Sequence, residues 1–180
     1  MKPFDQIGPT QLTWIQTELM KPIYELRSAE QVVARLSWVK ECGTHAEVTF
    51  HNQKYSFKRS GFWKPFVTVR KDGAPHDWAT IELSWLSESR LVMPDGRSYG
   101  WSLTSMWRQE WAFAANDKTP LVTFKTKNTV KGLQADVMLA QSVKHHADAP
   151  LLVALGWYLI AAYATSDGGA EIAAIMAAIS

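Results

Sequence analysis

Apolar and polar residues alternate with a period of two along most of this chain. Tyr55, Phe57 and Arg59 fall on one face of a segment whose other face carries Ser56, Lys58 and Ser60. Val67 and Val69 alternate with Thr68 and Arg70, Trp111 and Phe113 with Ala112 and Ala114, and Val122 and Phe124 with Thr123 and Lys125. Successive side chains of a strand point to opposite faces, so this is the pattern of half-buried antiparallel strands. Short polar stretches separate the segments. Ser28-Ala29-Glu30 divides 23–27 from 32–38, and His51-Asn52-Gln53 divides 46–50 from 54–58. Lys71-Asp72-Gly73-Ala74-Pro75 divides 66–70 from 78–83, and Pro94-Asp95-Gly96-Arg97 divides 90–93 from 98–103. Asn116-Asp117-Lys118 divides 110–114 from 121–126. Gly accepts positive φ, Pro presets φ, and Asn and Asp bond their own backbone, so where they stand these residues turn the chain. The segments pair as hairpins. Residues 133–139 add a strand, and 12–19 form another strand or a short helix, giving about eleven or twelve strands. An open sheet of that size curls or closes, and closure removes its exposed edges.

The period changes after residue 144. Residues 151–164 read Leu-Leu-Val-Ala-Leu-Gly-Trp-Tyr-Leu-Ile-Ala-Ala-Tyr-Ala, apolar on every side. A helix of that kind is buried in protein or in lipid. Spanning a bilayer takes about 20 residues, so the expectation is a core helix. Asp148 stands where a cap would be, Pro150 lies in the first turn, and Gly168-Gly169 ends the helix. The tail, 170–180, is Ala-rich and puts Ile172, Ile175, Met176 and Ile179 on one helical face. That face suits a protein partner or a second copy of the chain.

The hairpins also echo one another. Tyr55, Phe57, Ser60, Phe62, Trp63 and Lys64 align without gaps onto Tyr99, Trp101, Thr104, Met106, Trp107 and Arg108. Leu36-Ser37-Trp38 recurs as Leu83-Ser84-Trp85 ahead of each copy. Each unit reads as hairpin, aromatic-basic corner, hairpin.

A long meander from Tyr24 to Leu139 followed by one wholly apolar helix resembles the tubby C-terminal-like superfamily. That group includes tubby domains, LURP-one-related proteins and phospholipid scramblases. The resemblance implies a closed antiparallel barrel of about twelve strands around a buried hydrophobic C-terminal helix. It also implies peripheral binding of anionic phospholipid or phosphoinositide headgroups. It rests on architecture. The chain has no cysteine cluster, no proline-rich leader and no acidic run like a calcium loop, and the phosphoinositide-binding residues of tubby proteins do not map onto it.

Composition narrows the picture further. A chain of 180 residues, 47% of them hydrophobic, suits a single domain over 1–180, with the meander at 22–142, the helix at 150–165 and the tail at 170–180. Nine tryptophans fit a β architecture with wide aromatic packing. A net charge of +2 does not call for nucleic acid. The single cysteine, Cys42, excludes an internal disulfide and reads as an inert loop thiol in a reducing compartment. With no apolar stretch after Lys2, the expected address is cytoplasmic, peripheral to a membrane.

The clearest charge feature is Lys54, Lys58, Arg59, Lys64, Arg70 and Lys71, uninterrupted by any acidic residue and interleaved with Tyr55, Phe57, Phe62, Trp63 and Phe66. Basic groups beside amphipathic aromatics suit a phosphate headgroup at a membrane surface; the plainer alternative is a solvated strand face. His145-His146 with Asp148 lacks a further nearby ligand for a metal. Glu82, Glu88, Asp95 and Glu110 supply carboxylates without a spacing that pairs them. No phosphate-binding glycine loop or nucleophile elbow occurs. The expectation is a non-enzymatic binding module that needs no cofactor, with a scaffold or protein-interaction domain as the alternative.

Overall fold

The computed structural model describes residues 1, 4, 11–18, 21–40, 43–84, 88–129, 132–143 and 146–165. Twelve strands precede one helix. They are β1 (Leu12–Glu18), β2 (Lys21–Ser28), β3 (Gln31–Trp38), β4 (His45–Thr49), β5 (Lys54–Ser60), β6 (Phe66–Lys71), β7 (Ala79–Glu82), β8 (Ser89–Val92), β9 (Ser98–Ser105), β10 (Glu110–Ala114), β11 (Pro120–Thr129) and β12 (Gly132–Leu139). The helix is α1 (Ala149–Thr165). Each strand pairs with the next, and β1 closes on β12 with Leu12 opposite Val137 and Trp14 opposite Ala135. The barrel expected from the meander is the fold, and residues 12–18 are strand rather than helix. Leu12 and Trp14 alternate inward with almost no exposure, which fixes the register of the closing pair.

Every pairing is antiparallel. Connections therefore fall alternately at the two ends of the barrel. Those after β2, β4, β6, β8 and β10 share one end, here the turn end. Those after β1, β3, β5, β7, β9 and β11 share the other, the loop end.

Inward side chains meet α1 as well as one another, as Trp101 does with Phe113 and Phe124. Tyr24, Leu36, Phe57, Val69, Ile81, Leu91, Phe113 and Phe124 line the wall, and residues 151–158 of the helix are fully covered apart from Gly156 being a glycine. Burying one Leu, Val or aromatic side chain contributes about 1.5–3 kcal/mol. Exposed ion pairs contribute about 0–1 kcal/mol, so the wall-to-helix contact dominates stability. Trp157 stacks on Trp14 with ring centroids 5.7 Å apart and meets Tyr24 edge-on at 5.2 Å. A Cβ added at Gly156 would come within 2.4 Å of the Phe124 ring, so only glycine lets α1 pass that strand.

The helix is fixed at both ends. Asp148, 2% exposed, does not cap it with its carboxylate, contrary to the sequence expectation. The carboxylate instead accepts hydrogen bonds from the Tyr99 hydroxyl at 2.6 Å and from the Arg97 guanidinium. A charged partner and a buried phenol outcompete the helix amides, and the backbone carbonyl of Asp148 accepts from Leu152. Arg97 lies beside the β8–β9 turn, so α1 enters from the turn end. Nine residues on from Ala149, the Tyr158 hydroxyl donates to the Thr44 carbonyl at 2.6 Å, in the β3–β4 connection. The helix thus runs through the barrel and leaves at the loop end, where Tyr163 packs edge-on against Trp111.

The outer wall is polar. Glu25 on β2 is held by Arg27 at 2.8 Å and Arg35 at 2.7 Å. The Arg35 hydrogen bond keeps its carboxyl below the usual glutamate range against the opposing effect of burial, with Arg27 adding to it. Across the closing seam, Asp136 accepts from Thr13 and from Lys127. An apolar filling inside polar walls is the reverse of a membrane-spanning barrel, whose outer band is apolar. Among the described residues, no helix is long and apolar enough to cross a membrane. Cys42, His145, Gly168-Gly169 and the tail with Ile172, Ile175 and Ile179 lie outside the described residues.

Candidate functional site

The two ends of the barrel differ in chemistry. The turn end is built from Ala29-Glu30, His51-Asn52, Asp72-Gly73, Asp95-Gly96 and Asn116-Asp117, all exposed, and polar apart from Ala29 and the two glycines. There Asp95 accepts from the Arg97 amide at 3.0 Å and Asp117 from the Thr119 amide at 2.9 Å, the geometry that makes Asp a turn former.

The loop end is apolar at its tips. Phe62 and Trp63 project from the β5–β6 connection with exposures of 89% and 90%, and Trp107 from the β9–β10 connection with 99%. Val39 and Met106 are about half exposed at the same end. Lys64 and Arg108 directly follow the two tryptophans, and both are exposed. Single exposed apolar residues are ordinary on any protein, as Val92 and Met138 are toward the other end. Whole aromatic side chains projecting from two loops of one end are not.

Both tips are fixed at their bases. Gly61 adopts φ of +84°, and a Cβ there would sit 2.3 Å from the Lys64 carbonyl, so the β5–β6 connection needs glycine to close. The Pro65 carbonyl accepts from the Leu83 amide at 2.9 Å, tying this loop to the neighbouring connection. Within the loop, Phe62 meets Trp63 edge-on at 5.3 Å. In the β9–β10 connection the Gln109 carbonyl accepts from both the amide and the hydroxyl of Thr126 on β11. The tips are thus presented by hydrogen-bonded turns.

Between the first tip and the β7–β8 connection lies an open cleft of about 540 Å³. Trp63, Lys64, Phe66, Thr80, Glu82 and Ser84 line it. Phe66 and Glu82 face each other across the β6–β7 pair on the outer wall, because their neighbours Val67 and Ile81 point inward and are fully buried.

The six basic residues singled out in the sequence do not form one patch. Lys54, Arg70 and Lys71 lie toward the turn end. Lys54 pairs with Glu47 at 2.8 Å, and Arg70 pairs with Asp77. The Lys71 ammonium lies over the Trp78 ring, 5.3 Å from its centroid. Lys58 is exposed on the outer wall, opposite His45 and Thr68 in register. Arg59 and Lys64 lie at the loop end. The interleaved aromatics separate as well, since Tyr55 and Phe57 are buried inside while Phe62 and Trp63 are exposed. Sequence reasoning left Trp107 and Arg108 out of the candidate set. The echo of 55–64 in 99–108 was the signal that held them, because equivalent strands end in equivalent corners.

The other candidate groups have local roles. His146 contacts the Asp148 carboxylate at 3.5 Å and Arg97 at 3.1 Å, as part of the helix anchor. Asp95 sits at the turn end, a strand length away from Glu82, Glu88 and Glu110 near the loop end.

Comparison with family models, with curated proteins and with solved structures finds no match.

Proposed function

We propose that this domain docks on a lipid surface through the loop end of its barrel. The observation that carries the reading is the pair of fixed tips, Phe62-Trp63-Lys64 and Met106-Trp107-Arg108, at one end of the molecule. Tryptophan is favoured at the boundary between headgroups and acyl chains, because its body is apolar and its N–H is polar. A basic residue beside each tip adds about 1 kcal/mol near an anionic leaflet. A surface of separate projecting tips suits a deformable lipid layer better than a protein partner, which requires a continuous complementary face. The reading stands on these residues rather than on kinship.

Summed over two tryptophans, a phenylalanine and two cations, the attraction amounts to reversible, salt-sensitive binding in about the micromolar to millimolar range. Vesicle co-sedimentation measures it directly. Wild type should pellet with vesicles containing phosphatidylserine and less well with phosphatidylcholine alone, and less again as salt rises. Trp63→Ala and Trp107→Ala should each weaken binding about tenfold, and Lys64→Gln with Arg108→Gln should remove most of the salt dependence. Equal sedimentation of wild type and the double tryptophan variant would overturn the reading. So would a stable dimer in solution that is lost when both tips are changed, which would assign the tips to a second copy instead.

A further inference from the structure

We infer that the cleft beside the first tip is a binding site for the zwitterionic headgroup of a phospholipid, an ammonium joined to a phosphate ester. The inference rests on the docking reading for the source of its ligand, and it adds a chemical identity to part of that surface. Trp63 and Lys64 belong both to the tip and to the cleft wall. A headgroup at the depth where Trp63 sits therefore lies against Lys64 on one side and the β6–β7 surface on the other.

The cleft carries both charges that such a headgroup needs. Glu82 stands on its floor, exposed, with Phe66 directly across the strand pair. A carboxylate with aromatic faces beside it is the chemistry that receives an alkylated ammonium, through ion pairing and through the negative face of the rings. Lys64 supplies the cation for the phosphate, and the Thr80 hydroxyl on the same wall supplies a donor. Neither Lys64 nor Glu82 has an ion-pair partner among the described residues. Arg90, opposite Glu82 in the β7–β8 register, turns toward the Ser98 hydroxyl at 3.5 Å instead. The contrast with the turn end is informative. Lys54 and Arg70 already hold carboxylates there, while the opposed charges of this cleft are left for a ligand. A volume of about 540 Å³ lies within the roughly 300–1,000 Å³ of ordinary small-molecule sites.

Titration of isotope-labelled protein with soluble phosphocholine, followed by amide chemical shifts, tests this without a membrane. Saturable shifts should appear at Thr80, Glu82 and Lys64. Glycerol phosphate lacks the ammonium and choline lacks the phosphate, so each should bind at least about tenfold more weakly. Glu82→Gln and Lys64→Gln should each weaken phosphocholine binding about tenfold, while Met138→Ala, exposed on β12 across the barrel from β6 and β7, should leave it unchanged. An absence of shifts with phosphocholine, or an equal response to glycerol phosphate alone, overturns the inference. The two readings fail separately. Vesicle binding that ignores Glu82→Gln and headgroup type removes the cleft and leaves the docking. Phosphocholine binding without vesicle binding removes the docking and assigns the cleft to a free zwitterionic phosphate ester.

Discussion

Burial raises the pKa of each of the chain's five tyrosines above the ordinary phenol value. Tyr24, Tyr55, Tyr99 and Tyr158 are pushed up to about 12, and Tyr163 is raised as well. At Tyr99 the hydrogen bond to the Asp148 carboxylate adds to burial, because a phenolate could not donate it. A folded-state pKa above the unfolded one sets the sign of the linkage. The stability these groups contribute is complete below about pH 10 and is lost as pH climbs through about 12. Alkaline titration followed by tyrosinate absorbance should therefore lag behind free tyrosine and then rise together with loss of near-ultraviolet circular dichroism. Early ionisation of several tyrosines in a still-folded chain would contradict the packing around α1. The same core contains a cost. The indole N–H groups of Trp14 and Trp157 are buried with no acceptor among the described residues, so the stacked pair persists on its packing rather than on hydrogen bonding.

At the scale of the element, α1 and the connections show what a sequence makes legible. The helix was readable because fourteen successive positions, 151–164, offer no solvated side. Its environment gives a sharp expectation. Leu155→Asp places an unpaired carboxylate where the side chain has no exposure, at a cost of several kcal/mol, comparable with total stability. Gly156→Val forces a branched side chain into the Phe124 ring. Thermal melts should show the first variant unfolded or insoluble and the second lowered by about 3 kcal/mol or more. A near-native melt for either would mean that α1 is not held inside the barrel. The five polar turns read from the sequence, four of them through Gly, Asp, Asn or Pro, all prove to lie at one end of the barrel. Two of the opposite connections were read only through the echo, as aromatic-basic corners, because Phe62 and Trp63, and Met106 and Trp107, stand there in place of polar turn formers. Local turn chemistry is legible only where nothing else is asked of the turn. The basic run misled for a related reason. Residues adjacent in sequence on β5 and β6 are separated by strand length and by alternation between wall and lumen, so a run of charge became two ends and two faces. The cleft was not legible at all, because Phe66 and Glu82 meet only through a strand register.

At the scale of the whole molecule, the barrel and its filling are one cooperative unit. Among the described residues α1 is the element that fills the lumen, and β1 is joined to β12 across a long stretch of chain, Thr13 meeting Asp136 at a separation of 123 positions. A variant ending at residue 147 should lack the near-ultraviolet signature of packed tryptophan and show no cooperative unfolding. A folded barrel without the helix would instead make α1 a detachable element. The asymmetry of the ends has a matching whole-molecule sense. The helix enters among polar turns and ends among the aromatic tips, at the face proposed to meet lipid.

The order of these parts along the chain carries a consequence for biosynthesis. A ribosome delivers all twelve strands before it delivers the segment around which they close. Until α1 clears the exit tunnel, Tyr24, Phe57, Phe113 and Phe124 have no helix to face, and β1 waits for its partner β12 until the other strands have been made. The nascent barrel is thus a meander with its apolar face uncovered and its first edge unpaired until β12 and α1 arrive, the situation in which chaperones find their clients. A slow codon or a pause before α1 has left the tunnel prolongs that exposure.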